Sequence, residues 1–210
     1  MKYDPHKHHR QSIRLKGYDY GQAGAYFVTI CIQGGMSLLG EVVDSEMILN
    51  DAGKMVTAFW EEITIKYPTV ILDAFVCMPN HIHFIIILTG DVSLTAVIQW
   101  YKSITTTKYR HGVQDGKWPS FNKRFWQRNY YEHIIRNERA HQAIRNYIHN
   151  NPANWHADQL HPNAPANKFN QEWGCHAGVT HGCYPADVFE YGRTTTQTQR
   201  SSLPLGIGAA

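Results

Sequence analysis

Residues 78–88 read MPNHIHFIIIL, and the pattern inside this stretch decides how the chain folds. Met78-Pro79-Asn80 has turn chemistry, His81-Ile82-His83 alternates polar and apolar, and Phe84-Ile85-Ile86-Ile87-Leu88 is apolar without a break. A short unbroken run of β-branched and aromatic residues beside turn residues reads as a strand buried on both faces, hence central in a sheet. Side chains alternate along a strand, so His81 and His83 project from one face and Ile82 from the other. Two imidazoles held that way can chelate one ion. Neutral imidazole suits Mn, Zn, Fe or Co and, with oxygen ligands added, tolerates Mg. The bland alternative is a pair of half-buried histidines bonded to backbone carbonyls, the commoner fate of an isolated His-x-His.

Working outward, VILDAFVCM (70–78) reads as the strand that pairs with this one through Pro79-Asn80. Upstream, AYFVTICI (25–32) is a strand, and LLGEVVDSEMILN a hairpin-like extension. Asn50 or Asp51 caps a helix over 52–66, with Met55, Phe59, Ile63 and Ile65 as its apolar stripe and Pro68 as its stop. Downstream, Ser93 caps a helix reaching about Tyr109, with Leu94, Val97, Ile98, Tyr101 and Ile104 at helical spacing and His111-Gly112 ending it. RFWQRNYYEHII (124–135) reads as a further strand with mixed faces, and Asn137 begins a third helix that runs to Asn150 or Asn151 before Pro152. This order predicts an α+β, ferredoxin-like split β-α-β fold: an antiparallel sheet with helices on one face, plus a C-terminal helix carrying Tyr147. The expected divisions are a basic arm over 1–20, one domain over 21–155, and a variable, largely disordered extension over 156–210.

The 210 residues, 43% of them apolar, suffice for one core. No apolar run is long enough to span a bilayer and the start lacks a signal peptide's apolar stretch, so no membrane partner and a cytoplasmic location are expected. Cys31 and Cys77 fall in strand-like runs and are read as buried thiols. In GCHAGVTHGC (174–183), Cys175, His176, His181 and Cys183 fit no common zinc spacing, and a zinc site there is discounted. The formal net charge of +3 hides an asymmetry: residues 101–150 hold ten Lys or Arg against three acids, and 21–100 hold two against eight. A solvated helix face is the ordinary explanation of such an excess. Aromatics interleaved with the charge in KRFWQRNYY (123–131) favour a nucleic-acid surface, since phosphates attract cations and unstacked bases stack on rings.

The third helix supplies the remaining chemistry. In ERAHQAIRNYIHNNP (138–152), Ala140, Ala143, Ile144 and Ile148 form an apolar face, with Tyr147 beside it and Asn151 one turn on. Alone, Tyr147 is as well explained as a core-edge aromatic and Asn151 as a C-terminal cap. Together with HIH they resemble a known constellation. HIH (81–83) looks like the HUH motif (histidine, bulky hydrophobic, histidine), and YIHNNP (147–152) is similar to the Tyr-Ile-x-x-Asn-Pro of single-tyrosine transposases of the IS200/IS605 type. The closer similarity is to REP-associated tyrosine transposases, supported in order by RQSIRLKGYDYGQAGAYFVTICIQ, LNDAGKMV, VCMPNHIHFIIIL and FWQRNYYEHIIRN, covering about residues 10–155.

The resemblance implies that His81, His83 and Asn151 bind a divalent ion, Mg2+ or Mn2+, and that Tyr147 is the nucleophile. Family members often have glutamine where this chain has Asn151, so a shorter amide must approach closer. It implies cleavage of single-stranded DNA beside palindromic hairpins through a 5′-phosphotyrosine, with rejoining of strands, by a monomer or a homodimer. Residues 102–145 are then the expected backbone-contacting stretch, with Lys102, Lys123, Arg124, Arg128 and Arg136 as candidates, and Trp126, Tyr130 or Tyr131 as stacking platforms. Lys7, Arg10, Arg14 and Lys16 are candidates for the foot of the hairpin, or form a solubilising tail. Two other classes stay open: a hairpin-binding regulator without turnover, and a hydrolase using the histidine pair to activate water.

Overall fold

In the computed structural model, which describes residues 23–164, the elements follow the expected order. Strand β1 (Gly24–Cys31) leads through a short hairpin, β2 (Gly40–Val43) and β3 (Glu46–Leu49), into helix α1 (Asp51–Lys66). Strands β4 (Val70–Cys77) and β5 (His81–Leu88) precede α2 (Leu94–Gln114), and β6 (Tyr131–Ile135) precedes α3 (Glu138–Asn150). The main sheet is antiparallel with order β4-β5-β1-β6, the strand order of a split β-α-β fold.

Both central strands are buried on both faces, which is why their sequences run apolar rather than alternating. One face of the sheet sends Tyr26, Val28, Ile30, Ile82, Phe84 and Ile86 against α1 and α2. The opposite face sends Phe27, Ala74, Ile85 and Ile135 against Ile144 and Ile148 of α3. Alternation then fixes where the histidines go. In β5, His81, His83 and Ile85 share the α3 face, so the third helix covers the strand that bears the histidine pair.

Three asparagine and serine caps set the helix starts. Asn50 Oδ1 accepts from Gly53 N at 2.9 Å, Ser93 Oγ from Ala96 N at 3.2 Å, and Asn137 Oδ1 from Ala140 N at 2.8 Å. Two expectations at helix level need correction. Ile65 is 80% exposed and lies off the buried stripe, which is formed by Ala52, Val56, Trp60 and Ile63 with Met55 and Phe59 at its margin. Gly112 does not end α2: it lies inside the helix, where a Cβ would collide with the Trp118 ring. The stop is Gly116, at φ +70°, whose N–H returns to Val113 O at 3.0 Å.

The expected strand over 124–135 is also shorter than the sequence implied, with only Tyr131–Ile135 in the sheet. Before it, Trp126 makes a single bridge to Ile32, and Phe125 and Trp126 drop into the α2 side of the core. After α3 the described chain continues in packed form past Trp155, through a tight 3-10 turn (Pro152–Ala157) to Ala164. Cys31 and Cys77 are buried, as expected, and burial pushes the Cys77 thiol up to about 12. Among the described residues, no helix is long and apolar enough to cross a membrane. The Cys175–Cys183 cluster, the basic arm with Arg10, Arg14 and Lys16, and the low-complexity end lie outside the described residues.

Candidate functional site

His81 and His83 open β5 opposite Cys31 and Thr29 of β1, fully buried, with ring centroids 4.4 Å apart. Their tautomers follow from the groups behind them. Asn80 donates through Nδ2 to Leu160 O at 2.8 Å and Gly35 O at 3.2 Å, which turns its Oδ1 toward His81 Nδ1 at 2.8 Å. An amide oxygen only accepts, so His81 Nδ1 carries the proton and Nε2 presents a lone pair to the site. His83 Nδ1 pairs with Thr29 Oγ1 at 2.7 Å, and its Nε2 lies 3.2 Å from Tyr147 Oη. With the phenol donating to Nε2, His83 adopts the same tautomer. Hydrogen bonding the far nitrogen while freeing the near one is how ligating histidines are commonly oriented. Burial pushes His81 down to about 4 against the opposing influence of Asp158 and Asn151. Burial, helped by His81, holds His83 well below its ordinary value. Both rings are therefore neutral at neutral pH, the form that binds metals.

Helix α3 brings Tyr147 to this face. Ile144 and Ile148 anchor it on Phe27 and Ile85, leaving the Tyr147 ring edge-on to Phe27 at 6.2 Å and 5.3 Å from the His83 ring. A bulge in β4, where the register shifts between Leu72 and Phe75, turns both Asp73 and Ala74 toward α3. Asp73 Oδ1 accepts from Arg145 Nη2 at 3.1 Å and its Oδ2 pairs with His141 Nε2, clasping the helix to the sheet within the two turns before the tyrosine.

The tight turn after α3 returns the chain to the histidines. Asn151, 2% exposed, donates through Nδ2 to Asp158 Oδ2 at 3.2 Å. That same oxygen lies 4.0 Å from His81 Nε2, and Asp158 Oδ1 accepts from Leu160 N at 2.6 Å. His81, His83 and Asp158 each offer one atom to a group lying within 4.8 Å of one another, a set that could hold a divalent metal. Its chemistry fits such an ion. Two imidazole nitrogens and a carboxylate oxygen are ordinary ligands for a first-row divalent metal. His81 Nε2 and Asn151 Oδ1 are buried without a hydrogen-bond partner among the described residues. Each such atom costs about 1–3 kcal/mol unless a ligand satisfies it. Among the described residues, no lysine or arginine pairs with the Asp158 carboxylate, whose side chain is 4% exposed.

The family profile described as "Transposase IS200 like" matches residues 45–151, a span containing the histidine pair, Tyr147 and Asn151. This chain belongs to the IS200-like transposase family. An uncharacterized protein of Haemophilus influenzae is 41% identical to this transposase over 177 residues, covering 76% of this chain and 97% of that protein. The solved structure of a REP-associated tyrosine transposase bound to a REP hairpin is similar at 21% identity and TM-score 0.47, covering 94% of this chain and all of that one. A putative transposase from Deinococcus radiodurans is similar at 15% identity and TM-score 0.44, covering 66% of this chain and 97% of that one.

Of the candidates in this transposase, His81, His83, Tyr147 and Asn151 converge on one point. Lys123, Arg124, Arg128 and Arg136 are exposed, and Tyr130 and Tyr131 half-buried. Tyr131 pairs with Thr29 in the register that sets Thr29 against His83, so it shares the histidine face. Trp126 is a correction: it is 3% exposed with Nε1 donating to Thr105 Oγ1 at 2.8 Å, a core residue with no face left for a base. Lys102 spends its ammonium on Gln127 O at 2.6 Å and Arg128 O at 3.1 Å, and burial pushes it down to about 8. Asp158, Asn80 and Thr29 escaped sequence reasoning. Asn80 was legible in principle, as an amide directly before the pair.

Proposed function

We propose that this transposase cleaves and rejoins single-stranded DNA in a metal-dependent reaction, with Tyr147 as nucleophile. The observation that carries this reading is the approach of the Tyr147 hydroxyl to within 3.2 Å of His83 Nε2, in a site whose His81 Nε2 and Asn151 Oδ1 are buried and unsatisfied. A divalent cation, Mg2+ or Mn2+, held by His81, His83 and an oxygen of Asp158 or Asn151, would offset the charge that builds on a phosphodiester under attack. Tyr147 Oη bonds to phosphorus as the P–O3′ bond breaks. The phenol loses its proton and the departing O3′ gains one, so the products are a 5′-phosphotyrosine and a free 3′-OH. Attack of a 3′-OH on that phosphotyrosine runs the same steps backward and joins strands without ATP.

Tyr147 and a cation draw on one His83 lone pair, so loading the site frees the phenol from its hydrogen bond. Helix α3 holds the tyrosine over the histidines of its own chain, which favours catalysis within one subunit. The motif resemblance to REP-associated tyrosine transposases directs the substrate proposal to unpaired DNA beside an imperfect palindrome. Lys123, Arg124, Arg128 and Arg136 are the proposed phosphate contacts, and Tyr131, on the histidine face, the proposed stacking ring.

Incubating the protein with Mn2+ and a labelled hairpin oligonucleotide tests this reading. A denaturation-resistant protein–DNA adduct is expected with the wild type and none with Tyr147→Phe. Cleavage that survives Tyr147→Phe identifies a water-activating hydrolase, and hairpin binding without cleavage by the wild type identifies a regulator.

A further inference from the structure

Beside the histidines lies a second feature that the chemistry above does not use. A cavity of about 160 Å3 is lined by Cys31, Gly35, Asn80, Gln127, Leu160 and His161, among others. It exceeds the roughly 10–15 Å3 needed for one water and falls below the roughly 300–1,000 Å3 of drug-sized pockets, so it suits one small ring system. Its place is fixed by the site itself: Cys31 faces His81 across the β1–β5 ladder, and Asn80 holds the His81 ring.

Its polar equipment is uneven. The Asn80 amide is fully committed to His81, Gly35 and Leu160. Gln127 is anchored only through its main chain, its N–H donating to Cys31 O at 2.9 Å and its carbonyl accepting from Lys102 at 2.6 Å. Its side-chain amide makes no hydrogen bond with any described residue, although the residue is 5% exposed and lines the cavity. A primary amide that lines the cavity without a partner among the described residues, on a rigid backbone, offers a donor and an acceptor side by side, the pattern that the edge of an unpaired base presents in complement.

We infer that this cavity receives one unstacked nucleobase of the DNA strand, next to the phosphate that lies at the histidines, and that the Gln127 amide reads its edge. The inference rests on the single-stranded-DNA reading above. Adenine, which glutamine pairs with through two hydrogen bonds, is the expected occupant. The cavity's closeness to His81 makes the reading local: one position beside the cleaved bond is sensed and its neighbours are not.

The test uses single-stranded hairpin oligonucleotides carrying 2-aminopurine at successive positions around the cleavage site, bound to the full chain with Mn2+. One position is expected to change in fluorescence on binding. Gln127→Ala should abolish that response and erase the discrimination between adenine and other bases there, an effect of about tenfold to a hundredfold. Gln127→Glu, which keeps the shape and loses the amide donors, should alter the base preference at the same position and no other. Circular dichroism and thermal unfolding of both variants should match the wild type, so that the lost discrimination reports the amide and not the fold. If no position responds, or if both variants respond and discriminate like the wild type, the base site is refuted while adduct formation by the wild type leaves the cleavage reading standing. Absence of any adduct from the wild type overturns both.

Discussion

Asp73 is the perturbation that most directly separates docking of the tyrosine helix from the stability of the sheet beneath it. Its carboxylate is 11% exposed and takes Arg145 and His141 of α3, whose side chains are 44% and 20% exposed. A half-exposed ion pair contributes about 0.2–1 kcal/mol, and a more buried hydrogen bond to a charged group about 1.5–3 kcal/mol. Both α3 partners can rehydrate when Asp73 is removed, so the net loss in Asp73→Ala is about 1–2 kcal/mol. At 1.4 kcal/mol per tenfold, α3 then visits its undocked state about five- to thirtyfold more often. Hydrogen exchange read peptide by peptide is the assay. Amides of 141–150 should exchange faster by about that factor, while β1 and β5, held by the apolar core, keep their protection. Asp73→Asn, which retains an acceptor, should fall between. Unchanged exchange in α3, or a uniform rise across all elements, would refute the idea that this clasp holds the tyrosine in place.

Other outcomes follow from the same geometry. Tyr147→Phe removes a hydrogen bond from the lone pair that a cation needs, so Mn2+ should bind about two- to tenfold tighter by calorimetry than to the wild type, from the roughly 0.5–1.5 kcal/mol of such a bond. Asn80→Ala frees the His81 tautomer, and Mn2+ affinity should drop about 10–100-fold with the fold intact by circular dichroism. The metal-free protein should lose stability on acidification, because His81 and His83 stay neutral when folded while unfolded imidazoles protonate near 6.5. The unfolded chain therefore binds more protons below that pH, and stability present above about 6.5 is lost as pH falls toward about 4. His133, which burial also pushes down to about 4, adds to the pair, and each ring contributes about 1.4 kcal/mol per pH unit, so urea denaturation should register a loss of about 3–4 kcal/mol between pH 6 and 5, reduced by about a third in His83→Gln.

What was legible in the chain follows from which forces leave a periodic trace. β5 could be read residue by residue because burial on both faces leaves an apolar run, and the helix starts because a cap needs Asn50, Ser93 or Asn137 at one position. Strand and helix periodicity assign the histidines and Tyr147 each to a face, but what paired them in one site was the resemblance of HIH and YIHNNP to the motifs of single-tyrosine transposases. Asp158 follows a proline and a short turn without repeat, and a carboxylate there is ordinarily solvated, so nothing local marks its return to His81. Trp126 misled for a related reason. Its neighbours Arg124 and Arg128 are exposed, and a charged run does not reveal that the aromatics between them point inward. Gly112 resembled a helix stop because its actual role, making room for Trp118, is a contact with a residue beyond the helix.

The central claim is that Tyr147 becomes covalently joined to DNA. The most direct measurement is mass spectrometry of the proteolysed protein after reaction with Mn2+ and a single-stranded hairpin oligonucleotide. A nucleotide fragment attached through its 5′-phosphate to the peptide bearing Tyr147 is expected, together with a released strand ending in a free 3′-OH. Attachment at another residue, or cleaved DNA carrying a free 5′-phosphate with no modified peptide at any time, would contradict it.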